Sequence, residues 1–320
     1  MNIRNNRALR LLVALLALCL AFGQLGATGR QQKDEPEIAE LSPVFDESAA
    51  DIQNEPSPEV VQPRTIEVAV VEEEEEIPVP ARSCYCNRVH AGFYDYYSGE
   101  LYVCVQDVMA ALYPSARFSE QDGALTVQAG DIQICAPYGE DYFISNGRYL
   151  YAPAGVIKTD SGVYLPAEGV ARCFGGTVTL DEENERLDII SNSIEPLSSG
   201  DEFYNEDDVY WLSHIIYSEA GCESFMGMVA VGNVVMNRIA STVFKETDIK
   251  STIFSAGQFD PVANGSINLT PTDEAVAAAK VVLEGYKVVS DDTLFFATSM
   301  FAGAYICTTW IGNHCFMALA

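Results

Sequence analysis

The chain of 320 residues has few basic side chains and very few histidines. It contains 18 Lys and Arg against 46 Asp and Glu, a formal charge of −28, and three histidines. Nucleic acids and anionic membranes attract proteins through clustered Lys and Arg, so this balance argues against both as partners. A catalytic zinc takes three protein ligands drawn largely from His, Cys and carboxylates, so a histidine-rich metal site is not expected. We predict no metal and no cofactor.

Long apolar runs are also lacking, apart from one short run near the start of the chain. Arg4, Arg7 and Arg10 precede an apolar stretch at residues 11–22, which is too short for a comfortable membrane span. A positive segment followed by a short apolar segment is typical of a secretory signal peptide. We therefore predict a signal peptide at residues 1–29, export of the protein, and no membrane contact beyond that segment.

Residues 30–81 have few aromatic side chains, several prolines and an acidic run at residues 72–76. A segment of this composition buries too little apolar surface to offset the entropy of ordering. We expect an extended, disordered acidic linker that gives the following domains reach.

Nine cysteines are present, and Cys19 lies in the predicted signal peptide, which leaves eight. An even number in an exported chain permits disulfides, but the possible pairings are many and the sequence selects none of them. Bridged cysteines and free thiols are therefore both open.

Residues 82–192 contain an internal repeat with a constant offset of 62 positions. Each copy has the pattern of a short strand, a short helix and a two-stranded hairpin. The pair Gly175-Gly176 is expected to end the second helix. Two such copies predict a small α+β repeat domain. The matching pairs are Tyr102 with Tyr164, Val108 with Val170, Leu112 with Phe174, Phe118 with Leu180, Leu125 with Leu187, and Val127 with Ile189.

Several short motifs recur in this repeat region. They are Tyr102-Val103, Asn146-Gly147-Arg148, Ala154-Gly155, Tyr164-Leu165-Pro166 and Gly175-Gly176. With these motifs, the region resembles the copper amine oxidase N-terminal-like, or stalk, domain of exported bacterial cell-surface proteins. The resemblance implies a wall-targeting or spacer module. We expect no copper site, because His90 is the one histidine of the region.

Residues 200–320 have the pattern of a mainly helical domain, because their apolar residues recur at helical spacing. The predicted elements are a helix from Asp207 or Asp208 to Glu219, a helix from about Ser224, a helix from a capping box at residues 270–273, with Pro271 at the first helical position, to Gly285, and a short strand or buried loop at residues 293–296.

Glu219 is the candidate catalytic residue, because it stands at the end of a buried helix among apolar and small neighbours. Burial disfavours a charged carboxylate and raises its pKa, so such a group can hold a proton near neutral pH. A general acid that cleaves a glycosidic bond needs this property. A glutamate at a helix end is more often structural, so the assignment needs a second argument.

That argument comes from five ordered motifs. They are residues 209–220 (VYWLSHIIYSEA), residues 229–238 (VAVGNVVMNR), residues 257–262 (GQFDPV), residues 265–268 (GSIN) and residues 311–316 (IGNHCF). In these motifs, the domain resembles the cell wall hydrolase SleB family, the spore cortex-lytic enzymes and their vegetative relatives. The resemblance implies a lysozyme-like, lytic-transglycosylase type of fold, which makes the whole chain α+β.

The resemblance also implies the chemistry. Glu219 would act as catalytic acid and then as base at the β-1,4 bond between N-acetylmuramic acid and N-acetylglucosamine, closing a 1,6-anhydro ring. One carboxylate suffices, because the substrate supplies its own nucleophile, unlike in the two-carboxylate hydrolases. Asp260 is the candidate second acid if water is the nucleophile instead. The expected partner is therefore the glycan strand of peptidoglycan, in the cell wall or spore cortex, and protein partners stay open.

The expected substrate-binding residues are Gln258, Tyr217, Phe259, His314 and Asn313. Gln258 is expected to hydrogen-bond an N-acetyl or hydroxyl group. The alternatives are a place in the core for Tyr217, packing beneath its loop for Phe259 and a structural role for His314. For Asn237 and Arg238, at a helix end, we expect structural bonds to carbonyl groups. His214 falls on a different side of the first helix and is excluded from the site.

Two other functions are open. A muramoyl amidase normally needs zinc, and His214, His314 and Cys222 do not offer convincing ligand spacing. A non-catalytic wall-binding protein would fit residues 296–299, where many relatives have an aromatic-Asn-Pro stretch and this chain does not.

Overall fold

The structure is a computed structural model that describes residues 82–320. The predicted signal peptide at residues 1–29 and the predicted acidic linker at residues 30–81 lie outside the described residues. Between residues 82 and 320, no helix is long and apolar enough to cross a membrane. Helices and strands both form the fold, which is α+β as predicted.

The repeat region forms two sheets from the strands β1 (Ser83–Cys86), β2 (Val89–Tyr97), β3 (Glu100–Cys104), β4 (Arg117–Gln121), β5 (Ala124–Ala129), β6 (Ile132–Pro137), β7 (Tyr142–Ser145), β8 (Arg148–Tyr151), β9 (Ile157–Thr159), β10 (Gly162–Pro166), β11 (Thr177–Asp181) and β12 (Arg186–Ile190). One sheet has the strand order β11-β12-β1-β2-β3-β10-β9, and the other runs β4 to β8 in sequence. Strands β6 to β9, between the two copies, were not predicted.

The structure confirms the repeat. Strand β3, helix α1 (Val105–Leu112) and the hairpin β4-β5 recur as β10, helix α2 (Ala167–Arg172) and the hairpin β11-β12. Leu165 pairs with Val103, its own equivalent in the other copy, so the copies meet about a local two-fold axis. The glycine pair ends α2 as predicted: Gly175 has a φ of +67° and Gly176 N–H donates to the Ala171 carbonyl at 2.8 Å.

The tight turn between β7 and β8 of the five-stranded sheet contacts the region that follows the repeat, at residues 200–320. Asn146 and Gly147 join β7 to β8 with φ values of +50° and +80°, as a two-residue Asn-Gly hairpin requires. Gly200 N–H donates to the Asn146 carbonyl at 2.8 Å. A Cβ on Gly147 would lie 3.2 Å from the Gly200 nitrogen, so a larger residue would push the two backbones apart.

The second region is mainly helical. Its elements are α3 (Gly200–Phe203), α4 (Glu206–Ala220), α5 (Phe225–Ala240), α6 (Ile249–Phe254), α7 (Asp260–Asn264), a 3-10 turn (Ser266–Asn268), α8 (Asp273–Leu283), β13 (Thr293–Ala297), β14 (Tyr305–Ile311) and β15 (His314–Leu319). Helices α4, α5 and α8 meet at Gly232, where a Cβ would lie 2.8 Å from Val282 and 3.0 Å from Ile216. The strand at β13 was predicted, but the hairpin β14-β15 was not.

The helix starts were predicted with mixed success. Helix α5 begins after Ser224 as expected, and the Ser224 hydroxyl caps it by accepting from Gly227 N–H at 3.3 Å. The predicted start of α4 was wrong, because Asn205 is the cap and its side-chain oxygen accepts from Asp208 N–H at 3.1 Å. This earlier start places three acidic residues in the first turn, where the helix dipole favours negative charge.

The start of α8 also differs from the prediction. Thr272 is its cap and accepts a hydrogen bond from Ala275 N–H at 3.2 Å. Pro271 therefore precedes the cap and does not occupy the first helical position.

The structure contains no disulfide among the eight cysteines of residues 82–320. Burial raises the pKa of Cys84 and of Cys173 to about 12, so both remain protonated near neutral pH. On the last hairpin, the sulfur atoms of Cys307 and Cys315 lie 2.7 Å apart.

A buried charge cluster joins the repeat region to the helical region. Glu284, which caps the end of α8, has a fully buried side chain. Arg148 donates to both of its oxygens at 2.6 Å, Arg172 donates to one at 2.5 Å, and the Tyr204 hydroxyl donates to the other at 2.6 Å. The carboxylate is thus fully hydrogen-bonded, which offsets the cost of burying its charge.

Aromatic contacts extend the same junction. Phe225, the first residue of α5, stacks on Tyr142 and Tyr151 of the five-stranded sheet, with ring centroids 5.6 and 6.1 Å apart. The start of α5 follows directly on the loop after Glu219. The repeat region therefore contacts the start of α5, which follows the helix that carries Glu219, the candidate catalytic residue.

Candidate active site

Glu219 lies in the last turn of α4 and is half-buried. Gly221 follows the helix, and a Cβ there would lie 2.5 Å from the Tyr217 carbonyl oxygen and 2.9 Å from its ring. This close approach lets the half-buried Tyr217 ring cover the helix end. Ser218 adds a link, because its hydroxyl donates to the Ser266 carbonyl at 3.0 Å.

The environment of Glu219 favours its protonated form. Burial is the largest cause, and the negative charge of Asp260 adds to it, so the pKa of Glu219 rises to about 7. The positive charge of Arg238 opposes this rise. Among residues 82–320, no group donates a hydrogen bond to the Glu219 carboxylate. The side chain can therefore exist in both protonation states near neutral pH, as proton transfer in both directions requires.

Arg238 lies in the last turn of α5 and is buried. Its Nε donates to the Leu294 carbonyl at 2.8 Å, and its Nη1 donates to the Gln258 side-chain oxygen at 3.3 Å. Three phenylalanine rings surround the guanidinium, with centroids 4.7 to 5.7 Å from its central carbon: Phe244, Phe259 and Phe295. Burial lowers the pKa of Arg238 to about 10, against the attraction of Glu219 and Glu246, so it stays positively charged near neutral pH.

The loop before α7 brings two expected site residues next to this arginine. Gln258 is half-buried and bonded to Arg238. Phe259 is only 5% exposed, and its ring packs over Arg238 and 6.4 Å from the Phe296 ring. Phe259 is thus placed beneath the loop rather than at its surface. Asp260, the first residue of α7, is exposed.

The turn between β14 and β15 carries the other two expected residues. Asn313 donates to Glu223 through its backbone N–H at 3.0 Å and its side-chain amide at 2.9 Å, and these bonds lower the pKa of Glu223. The bonds tie the turn to the loop between α4 and α5. Gly312 makes the approach possible, since it has a φ of +55° and a Cβ there would collide with Glu223.

His314 is 8% exposed and lies between aromatic rings. Its ring centroid is 5.3 Å from that of Phe296 and 6.2 Å from that of Phe316. Burial lowers the pKa of His314 despite the negative charge of Glu223, so its ring is neutral near pH 7. Its Nδ1 is buried and has no partner within residues 82–320.

His214 lies apart from these groups, as its position on α4 predicted. Its Nδ1 donates to the Ile267 carbonyl at 2.7 Å, which makes it a structural histidine. It lines a separate cavity of about 550 Å³ with Tyr210, Thr270 and Lys280. In the part of the chain that the structure describes, no three His, Cys, Asp or Glu side chains are grouped to hold a metal ion.

Sequence reasoning missed two residues of this site. Arg238 lies in a motif of the resemblance, but its expected role was structural only; it does bond the Leu294 carbonyl, and it also bonds Gln258. Glu223 had no signal beyond its place four residues after Glu219. Asn237 does bond carbonyl groups, those of Ser290 and Thr293 at 2.9 and 3.0 Å.

Two segments of the chain match known families. Residues 222–317 match the family described as Cell Wall Hydrolase, and residues 93–189 match the Copper amine oxidase N-terminal domain. The first match begins three residues after Glu219.

Curated relatives match over 117 residues, which is 35% of this chain. The spore cortex-lytic enzyme of Bacillus cereus is 30% identical, with 45% of its length covered, and that of Oceanobacillus iheyensis is 31% identical, with 42% covered. The chain thus spans less than half the length of these relatives. The crystal structure of the catalytic domain of the Bacillus cereus SleB protein is 30% identical, with 35% of this chain and 91% of that chain covered and a TM-score of 0.32.

Proposed function

We propose that this chain, in which a cell wall hydrolase domain follows a copper amine oxidase N-terminal domain, is an exported enzyme that cleaves peptidoglycan. The family match and the names of the curated relatives support the substrate class. The finer proposal is a lytic transglycosylase that cuts the β-1,4 bond between N-acetylmuramic acid and N-acetylglucosamine. It would act in the cell wall or the spore cortex.

The observation that carries the proposal is the state of Glu219. With a pKa raised to about 7 by burial and by Asp260, a large fraction of Glu219 is protonated at neutral pH. Protonated Glu219 donates its proton to the glycosidic oxygen as the bond from the muramoyl C1 breaks. The resulting carboxylate then accepts the proton of the muramoyl 6-hydroxyl, whose oxygen bonds to C1 and closes the 1,6-anhydro ring. No water and no second carboxylate enters this sequence.

The proposed substrate contacts come from three segments. Tyr217 is on α4, Gln258 is on the loop before α7, and Asn313 and His314 are on the β14-β15 turn. Phe259 contributes to the proposed site indirectly, because its ring packs against Arg238. Glu223 holds the turn in place through both of its bonds to Asn313.

Product analysis of purified peptidoglycan tests this function. The full chain should release fragments with 1,6-anhydro-muramic ends, detected by mass spectrometry, and the Glu219→Gln variant should lose at least about 100-fold in rate, because general acid and base catalysis is removed. Asp260→Asn is the matched control: it should keep anhydro products, since Asp260 acts only through its charge.

Other products would contradict the proposal in distinct ways. Reducing muramic ends that disappear in Asp260→Asn would make water the nucleophile and Asp260 a second catalytic carboxylate. Free stem peptides would point to the amidase function. An unchanged rate in Glu219→Gln would remove Glu219 from the mechanism.

A further inference from the structure

Arg238 has a donor-only side chain in an enclosed position. A guanidinium has five N–H donors and no acceptor, and burial of Arg238 among three phenylalanine rings leaves it few directions in which to donate. One donor goes to the Leu294 carbonyl and one to Gln258. Anything that bonds this guanidinium must therefore present an acceptor to it.

This requirement fixes the orientation of the Gln258 amide. Only its oxygen can accept from Arg238, so its nitrogen, with two N–H donors, is the amide atom turned away from this bond. No acceptor within residues 82–320 takes a hydrogen bond from that nitrogen, and Gln258 is half-buried, not enclosed. The two donors are thus available to a ligand, and the ligand must supply acceptor oxygens.

Arg238 also acts on Glu219. The two residues occupy the last turns of neighbouring helices, α4 and α5. The charges of Asp260 on α7 and of Arg238 shift the pKa of Glu219. The charges of Glu219 and Glu246 shift the pKa of Arg238 in turn. The guanidinium thus bonds the Gln258 amide and acts through its charge on Glu219.

We propose that Arg238 is a positioning residue, which holds the Gln258 N–H donors toward the substrate and thereby selects sugars that carry an acetamido carbonyl. The inference rests on the proposed function, because the acetamido sugar is the chemistry of its substrate. Arg238 acts through Gln258 and through its charge near Glu219, and it does not itself touch the sugar.

Binding to neutral sugar oligomers tests the selection without activity. In a Glu219→Gln background, N-acetylchitotetraose should bind about tenfold more tightly than cellotetraose, which has hydroxyls in place of acetamido groups. Adding Gln258→Glu removes the N–H donors at equal size, and adding Arg238→Met releases the amide, so each should abolish the preference. Adding Lys250→Met removes one exposed positive charge of the same domain and should leave the preference intact.

The pH dependence of the active enzyme provides a second readout that a structural role would not move. Because Arg238 lowers the pKa of Glu219, its removal should raise that pKa. The alkaline limb of kcat/KM, where Glu219 loses its proton, should then move up by about one pH unit in Arg238→Met. Arg238→Lys keeps the charge and should restore the limb, and Lys250→Met should match the unsubstituted chain.

The outcomes separate this inference from the proposed function. If the chain cleaves peptidoglycan but either Arg238→Met or Gln258→Glu keeps the acetamido preference, the positioning role is overturned and the function stands. If the chain cleaves no peptidoglycan but both variants lose the preference, the function falls and the positioning role stands. Should Arg238→Met fail to fold, Gln258→Glu and Arg238→Lys still decide the result.

Discussion

Glu284 and Glu219 both lie near a buried arginine, and of these two only Glu284 is hydrogen-bonded to its arginine. Glu284, at the junction of the two regions, accepts hydrogen bonds from Arg148, Arg172 and Tyr204. Within residues 82–320, Glu219 accepts none, and the two hydrogen bonds of Arg238 go to Leu294 and Gln258. The bonded carboxylate fixes structure, whereas the unbonded one is free to exchange a proton.

Removing the charge of Glu284, the hydrogen-bonded glutamate, should produce the largest change in the free energy of unfolding. Glu284→Gln removes the negative charge and leaves the buried Arg148 without a counter-charge, so the free energy of unfolding should fall by about 3 to 5 kcal/mol. Urea unfolding of the full chain measures this loss. The folded fraction should keep its catalytic rate per molecule, and an equally stable variant would show that the cluster does not hold the regions together.

Removing the charge of Glu219 should have the opposite effect and stabilise the fold. The folded pKa of Glu219, about 7, lies above its ordinary value of 4.5, so the folded state binds a proton that the unfolded state has lost. Its contribution to stability is full below pH 4.5 and is lost as pH rises to 7, by about 3 kcal/mol. Glu219→Gln removes this dependence.

Thermal unfolding from pH 4.5 to 8 measures the effect. At pH 8 the Glu219→Gln variant should melt at a higher temperature than the unsubstituted chain, and at pH 4.5 the two should nearly coincide. A lower melting temperature of the variant at pH 8 would mean that the carboxylate is stabilising, contrary to its lack of partners.

The two arginines that bond Glu284 should contribute unequally to the free energy of unfolding, because their side chains are exposed to different extents. The Arg172 side chain is 34% exposed and that of Arg148 is 7% exposed, although both bond Glu284. Because water screens the more exposed pair, Arg172→Met should cost about 1 kcal/mol, clearly less than Arg148→Met. Parallel urea titrations compare the two, and equal losses would contradict the grading.

A third glutamate, Glu223, is bonded to the uncharged donors of Asn313 and should show the smallest effect. Glu223→Gln keeps the shape but weakens both hydrogen bonds, so the free energy of unfolding should fall by about 0.5 kcal/mol at pH 7. The pKa of Glu223 is lowered in the fold, so its contribution is present above pH 4.5 and is lost as pH falls through the folded pKa. The difference between variant and parent should therefore shrink in acid, and a constant difference would exclude this cause.

Local patterns predicted much of this fold, and distant contacts account for what they missed. The two-copy repeat, the Asn146-Gly147 turn and the start of a helix at about Ser224 depend on neighbouring residues, and each is present. The sequence also placed Glu219 at the end of a buried helix.

The missed features join residues far apart in the chain. Arg148 is 136 residues from Glu284, and Arg238 is 20 residues from Gln258. No spacing rule connects such pairs, because only the packing of whole helices and sheets brings them together. The roles of the remaining site residues depend on the substrate and stay predictions.

Strands β6 to β9, between the two repeat copies, limit which parts of this chain can be replaced by parts of other proteins. Arg148, Tyr142 and Tyr151 all belong to that stretch, and they contact Glu284 and Phe225 of the helical region. A spacer of unrelated sequence could match the repeat in length and still leave Glu284 enclosed without its main counter-charge. The helical region and this stretch should therefore be kept together, because a chimera that separates them would bury Glu284 without the Arg148 counter-charge.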